Sequence, residues 1–305
     1  MLAVIPLELD SEEFDNTLQV KPVEELIQKE PDLSNLDDLL LSYSYSSIQK
    51  ATVNFLVARK PEKVGLECLE NFVLAVFQEY KFVPYHNFAH GVSVMQFFNT
   101  FIESLPNSQN LFDKNHVFVS LIAALSHDLG HQGKNNAYNC TKKTKIALKS
   151  LNKSVLERFH IKKTLYLLRK PGNDLFSEFS ETEKVKVTQL IIEAILATDM
   201  AEHFSILERF NKTPVAEFTK NDNFLTGFVV HAADLGNLGL EFGNYVSWAK
   251  LITQEFQTQT ECEKRNQLKE SEFMKFKGKN SFVKDQLFFA SQLIRHIRSS
   301  VVSEH

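Results

Sequence analysis

The chain has 305 residues, 43% of them hydrophobic, and a formal net charge of −4. That length supports a sizeable core, and the mildly negative balance leaves no basic footprint for a nucleic-acid backbone, so no nucleic-acid partner is expected. Cys68, Cys140 and Cys262 are too few and too scattered for a disulfide framework or a CxxC knuckle, which favours a reducing compartment.

Residues 1–45 are acid-rich ("LDSEEFD", "EELIQKEPDLSNLDDLL") and are expected to form a flank and a first helix with its acids on a solvated face. The apolar start "MLAVIPLELD" has no basic n-region and is not expected to be a signal peptide. No apolar run approaches the ~18 residues of a membrane span, so a cytoplasmic protein without a membrane span is expected. From residue 46 to 305, apolar residues recur at helical spacing. The segments are Cys68–Tyr80, His90–Leu105, Val117–Leu125, Thr188–Met200, Phe224–Leu235 and Trp248–Gln259. Pro and Gly punctuate the breaks "KPEK", "LPNSQN", "KPGND" and "FKGKN". With 10 Gly and 8 Pro, tight turns are few, and neither strand alternation nor an internal repeat is visible. The spacing predicts one compact all-α domain over 46–305, with the 26 phenylalanines packing its core.

Three of the apolar segments end in ionisable residues: Ser126-His127-Asp128, Thr198-Asp199 and Asp234. An ionised carboxylate taken out of water costs several kcal/mol unless compensated. One buried Asp is readily explained by a hydrogen bond to a neighbouring helix. Three together, with histidines nearby, point to a shared cation, which neutral imidazole also ligates. In "VPYHNFAHGVSVMQFF", Pro84 disfavours helix before it and Asn87 is a natural N-cap. His90 then falls in the first helical turn and His86 on the incoming loop. An HxxxH pair alone is as readily a packing pair, and no Glu follows the first His as a zinc-protease motif requires. The pattern favours His90 as a metal ligand and leaves His86 to move protons.

A His, a His-Asp dipeptide and a distant Asp form the metal pattern of the HD superfamily of phosphohydrolases. "HDLGHQGKNNAY", His127 to Tyr138, resembles the signature of class I 3′,5′-cyclic nucleotide phosphodiesterases at every defined position. "YHNFAH", "SVLERFH", "LATDM", "HAADLGN" and "VKDQLFF" are similar to five further boxes of that family, in the family's order. The resemblance implies a compact multi-helix HD-type catalytic domain whose C-terminus, ending at His305, is shorter than usual.

The resemblance further implies two divalent metals. His90, His127, Asp128 and Asp234 would hold the tight one, normally zinc, with Asp128 bridging to a second, magnesium or manganese. His131, Thr198, Asp199, Asn136 and Glu157 would order the water around the second ion. His86 would be the general acid, oriented by Glu157. The substrate would be a cyclic purine nucleotide, cAMP or cGMP: Gln286 would read the purine edge, Phe289 and Ile252 would clamp its faces, and Tyr85 and Asn237 would line the pocket. Taken alone, Phe289 and Ile252 read as core packing and Gln286 as a surface residue. Two metals about 3.5–4 Å apart sharing a hydroxide suit in-line displacement at phosphorus, and a carboxylate-held histidine can protonate the leaving ribose oxygen.

Gly130 stands where the family has an acid, Leu238 where it has a proline, Arg158-Phe159 where it has a polar pair, and Lys145 where many members have Glu. Two other readings are another HD-type phosphohydrolase acting on acyclic nucleotides, and a catalytically weakened regulatory module that binds cyclic nucleotides. The first would call for basic residues around a triphosphate, and Leu125–Tyr138 offers only Lys134. The second is disfavoured by the presence of every ligand and of His86.

Overall fold

The computed structural model describes residues 26–275 except 106, 107, 215, 216 and 219, together with Gly278 and the backbone of a short antiparallel pairing of Ala3–Val4 with Val20–Lys21. Twelve α-helices lie in the described residues. They are α1 Tyr45–Val57, α2 Leu66–Glu79, α3 Phe88–Ser104, α4 Ser108–Leu111, α5 Lys114–Ser126, α6 Asn136–Thr141, α7 Lys145–Lys149, α8 Val155–Leu168, α9 Glu181–Leu196, α10 His203–Lys212, α11 Asn223–Asp234 and α12 Phe242–Arg265. Each of the six apolar segments lies on or largely on one of these helices, Thr188–Met200 running past the end of α9, and the fold is all-α as expected. None of them is long and apolar enough to cross a membrane.

Two of the apolar helices bury long unbroken stretches on every side. In α3 every residue from Phe88 to Asn99 is buried, and in α5 every residue from Phe118 to Ser126. A helix hydrophobic all round must be enclosed, and here α3, α5, α9 and α11 pack on one another to do so. Phe72, Phe88, Phe98 and Phe118 are fully buried, each stabilising the fold by about 1.5–3 kcal/mol. Short polar side chains start the helices. Asn87 accepts the amides of Ala89 and His90 at the head of α3, and Asp113 accepts that of His116 at the head of α5. Ser180 and Glu183 form a capping box on α9, and such caps contribute about 0.5–2 kcal/mol each.

The acidic segment departs from the helix expected there. Residues 26–44 run as turns with one 3-10 turn, Leu40–Ser42, and the first α-helix among the described residues starts at Tyr45. Pro31 offers no amide hydrogen, and the acids capture the backbone instead. Asp32 Oδ1 accepts the amide and hydroxyl of Ser34 (2.9 and 2.6 Å), Asn35 Oδ1 the amide of Asp37 (3.0 Å), and Asp38 Oδ2 the amide of Asp32 (2.9 Å). Such local bonds compete directly with a helix.

Candidate active site

The C-terminal ends of α5 and α11 and the first turn of α3 meet at one end of the core, so each contributes its polar terminus to a common point. His127 is the C-cap of α5, His90 lies in the first turn of α3, and Asp234 ends α11. The ligand atoms of His90, His127, Asp128 and Asp234 lie within 4.8 Å of one another. His90 Nε2 stands 3.0 Å from Asp234 Oδ1 and 3.4 Å from Asp128 Oδ2, and His127 Nε2 stands 3.1 Å from Asp128 Oδ2 and 3.2 Å from Asp234 Oδ1.

Hydrogen bonding shows what this group lacks. His127 Nδ1 donates to the carbonyl of Ala124 at 2.8 Å, which fixes its tautomer and leaves Nε2 with a lone pair. That lone pair faces two carboxylates and has no hydrogen-bond partner. His160 repeats the arrangement: Nδ1 donates to Leu129 O at 2.9 Å, and its unpartnered Nε2 lies 3.5 Å from Asp128 Oδ1. Acceptors converging on acceptors need a positive charge between them. Against the cost of burial, Asp128 and Asp234 hold the His127 pKa well above the ordinary value, so the same two carboxylates that would draw a cation to Nε2 draw a proton there in its stead. The donor set, two imidazoles and two carboxylates, fits a divalent cation.

His86, His131 and Glu255 form the neighbouring group. Here an imidazole and a carboxylate hold one another directly. Glu255 takes a very short hydrogen bond from His86 Nδ1 and accepts the amides of Tyr85 and His86 at 3.0 and 3.1 Å. His131 Nδ1 accepts the Gly133 amide at 3.0 Å, and its ring packs 4.1 Å from that of His86. Burial lowers His86, but Glu255, Asp128 and Asp234 raise it to about 9. Burial raises Glu255, but His86 brings it down to about 2. His131 is pushed down to about 3 by burial and by His86, and so stays neutral. The partner of His86 is therefore Glu255, which corrects the expectation that Glu157 orients it. Glu157 is tethered elsewhere: Asn136 Nδ2 donates to both its oxygens at 3.0 and 3.2 Å, while Asn136 Oδ1 accepts the Leu156 amide at 2.9 Å.

Both groups open on a cavity of about 290 Å³ lined by His86, Asp128, His131, Asn136, Glu157, Thr198, Asp199, Asp234 and Glu255. Burial and Asp199 push Glu157 up to about 7, a sign of crowded negative charge. Thr198 Oγ1 donates to Ile195 O at 2.8 Å and Asp199 accepts the Ala201 amide at 3.0 Å, which fixes both at the end of α9. Ser93 donates to Asn237 Oδ1 at 2.9 Å, and Asn237 Nδ2 donates to Tyr85 Oη at 3.3 Å. The Tyr85 ring in turn lies 4.6 Å from that of His90. Ile252 is half-buried on α12, on the face of Glu255 and Phe256. Gln286 and Phe289 lie outside the described residues.

Reading the sequence missed Glu255, His160 and the polar ridge of α12. Glu255, Gln259 and Glu263 are each buried and recur every four residues. Gln259 Oε1 accepts the Asn135 amide at 2.8 Å and its Nε2 donates to Asn135 Oδ1 and Glu263 Oε1 at 3.0 and 2.9 Å. Glu263 accepts the amide and hydroxyl of Ser271 at 2.7 and 2.8 Å. The four-residue period was the available signal; the surrounding glutamines and threonines disguised it as a solvated face.

Comparison with known proteins agrees with this geometry. A family model described as 3′5′-cyclic nucleotide phosphodiesterase matches residues 85–302. A curated relative, the cGMP-specific 3′,5′-cyclic phosphodiesterase gamma of Plasmodium yoelii, is 28% identical over 245 residues, covering 79% of this chain and 31% of the relative. The 3′,5′-cyclic-AMP phosphodiesterase 4 of Dictyostelium discoideum is 32% identical over 149 residues, covering 48% of this chain and 14% of the relative. The chain thus spans about a third or less of the length of these relatives. The crystal structure of the phosphodiesterase domain of the RhoPDE fusion protein from the choanoflagellate Salpingoeca rosetta superposes with a TM-score of 0.82 at 26% identity, covering 88% of each chain.

Proposed function

The chain belongs to the 3′,5′-cyclic nucleotide phosphodiesterase family, and on that premise we propose that it hydrolyses cAMP, cGMP or both to the 5′-monophosphate. The observation that carries this reading is the pairing of two groups across one cavity. One is a cluster of two imidazoles and two carboxylates suited to a cation, and the other is a histidine whose Nδ1 is held by a buried glutamate, leaving its Nε2 proton to be given up. No lysine or arginine lines that cavity among the described residues, which favours a singly charged cyclic diester over a triphosphate.

His90, His127, Asp128 and Asp234 would hold the tighter metal, with zinc matching the imidazole-carboxylate set. Asp128 has its second oxygen toward His160 and the cavity, suited to sharing a second ion, magnesium or manganese, within the acidic rim of Glu157 and Asp199. When bound, the two cations supply an activated water and neutralise phosphate charge. The chain's own residues do the rest. His131, Thr198 and Asn136 hold the polar wall of the cavity in place, and Glu255 keeps His86 protonated at neutral pH. As water adds to phosphorus and the P–O3′ bond breaks, His86 passes its proton to the departing O3′. Gln286, Phe289 and Ile252 would hold the purine, and Tyr85 and Asn237 would line the pocket.

Comparing His86→Ala with Asp234→Ala tests this division. The first should retain bound metal and lose about 10²–10⁴-fold in turnover of cyclic nucleotide. The second should lose both metal and turnover. Equal metal loss in the two variants would refute the assignment of His86 as acid rather than ligand.

A further inference from the structure

The excess of acids over bases in the whole chain conceals a local reversal. From Lys134 to Lys163 there are nine lysines and arginines and a single acid, Glu157, which is buried. These residues build α6, α7 and the first turns of α8, which pack together. Lys143, Lys145, Lys149, Lys153 and Arg158 are exposed and form no ion pair with any described residue. Beside them stand two bare leucines, Leu148 at 58% exposure and Leu151 at 81%.

Leu151 is doubly unusual. It follows the C-cap of α7 in a left-handed conformation, φ 55°. The Asn152 amide donates to Ala147 O at 2.9 Å and the Leu151 amide to Leu148 O at 3.3 Å. That is a Schellman ending, whose left-handed position is filled most often by glycine. Asn152 and Ser154 are left-handed too. The chain therefore accepts a strained backbone in order to hold a large apolar side chain out in water. Strain that persists at an exposed site points to use rather than to folding.

We propose that the α6–α8 face docks on an anionic lipid surface, its lysines against the headgroups and Leu148 and Leu151 entering the interface. Basic residues around protruding apolar ones are the pattern of peripheral membrane contact. A nucleic acid would answer the charges but not the leucines. An acidic partner protein with an apolar groove is the competing occupant, and protein-free vesicles distinguish it. The proposal is independent of the hydrolytic reading, since none of these residues lines the cavity.

The test is co-sedimentation of the full chain with phosphatidylcholine vesicles, with and without phosphatidylserine, alongside melting curves. Binding should require phosphatidylserine and weaken with added salt. Lys145→Gln with Lys149→Gln should cut the partition coefficient about 25-fold, roughly fivefold per cation. Leu151→Gly should lower vesicle binding while raising the melting temperature, because glycine relieves the left-handed strain. Loss of binding in a more stable protein cannot come from misfolding. Failure to bind phosphatidylserine vesicles would overturn the proposal in favour of a protein partner. Binding by Leu148→Ser and Leu151→Gly equal to that of the unaltered chain would overturn it as well, because charge alone would then suffice.

Discussion

Three donors converge on the carboxylate of Glu255: the ring of His86 and the amides of Tyr85 and His86. The charge that results governs the proton on His86. Glu255→Gln keeps an acceptor oxygen but removes the charge, so the pKa of His86 should fall from about 9 toward the ordinary ~6.5. The alkaline limb of the rate profile should move to lower pH by a comparable amount; an unmoved limb would show that Glu255 does not set that proton. The pair also links stability to pH. The raised His86 contributes fully below its unfolded value near 6.5 and loses that contribution as pH rises through about 9. The depressed Glu255 contributes above about 4.5 and loses its share as pH falls through about 2. Stability from this contact should therefore be greatest between these limits. His90, His127, Asp128 and Asp234 were legible in the sequence because a charge ending an apolar run has no bland explanation when it recurs. Glu255 was not, because its neighbours in α12 are polar and its partner lies 169 residues away.

At the scale of the helix, the ligand cluster depends on how closely α3 approaches the end of α5. Gly91, next to His90, permits that approach. A Cβ there would lie 2.5 Å from Tyr80 Oη and 2.8 Å from the Leu125 carbonyl, the same two atoms that form a 2.8 Å hydrogen bond. Gly91→Ala should destabilise the fold by about 1–3 kcal/mol and weaken metal binding, as read by thermal melting and metal titration. A variant with unchanged melting and metal affinity would show that the contact is slack. The major helices were readable from apolar spacing, since period and burial agree there. The acidic segment before Tyr45 misled, because its spacing suggested a helix while Pro31 and the Asp and Asn side chains had already claimed the backbone.

For the molecule as a whole, a metal held by the cluster as proposed would tie folding to that ion. Carboxylates and imidazoles from α3, α5 and α11 come together only in the native state, so a cation that binds there stabilises the native state alone. Removing it with a chelator should lower the melting temperature by about 5 °C, if it is normally present at roughly a hundred times its dissociation constant. Added metal should restore the loss, and Asp234→Ala should melt alike with and without chelator. Identical melting of the unaltered protein in both conditions would mean that the four side chains hold no ion.

The ridge on α12 makes that helix a gauge for its surroundings. Glu255, Gln259 and Glu263 sit about 6 Å apart along the axis and clasp three different loops, at residues 85–86, at 135 and at 271. One extra residue between Glu255 and Gln259 would swing everything downstream by about 100° around the axis. His86 would keep its anchor, while Asn135 and Ser271 would each lose theirs. Spacing along one rod thus sets how far apart the walls of the cleft can stand, and those walls cannot drift independently.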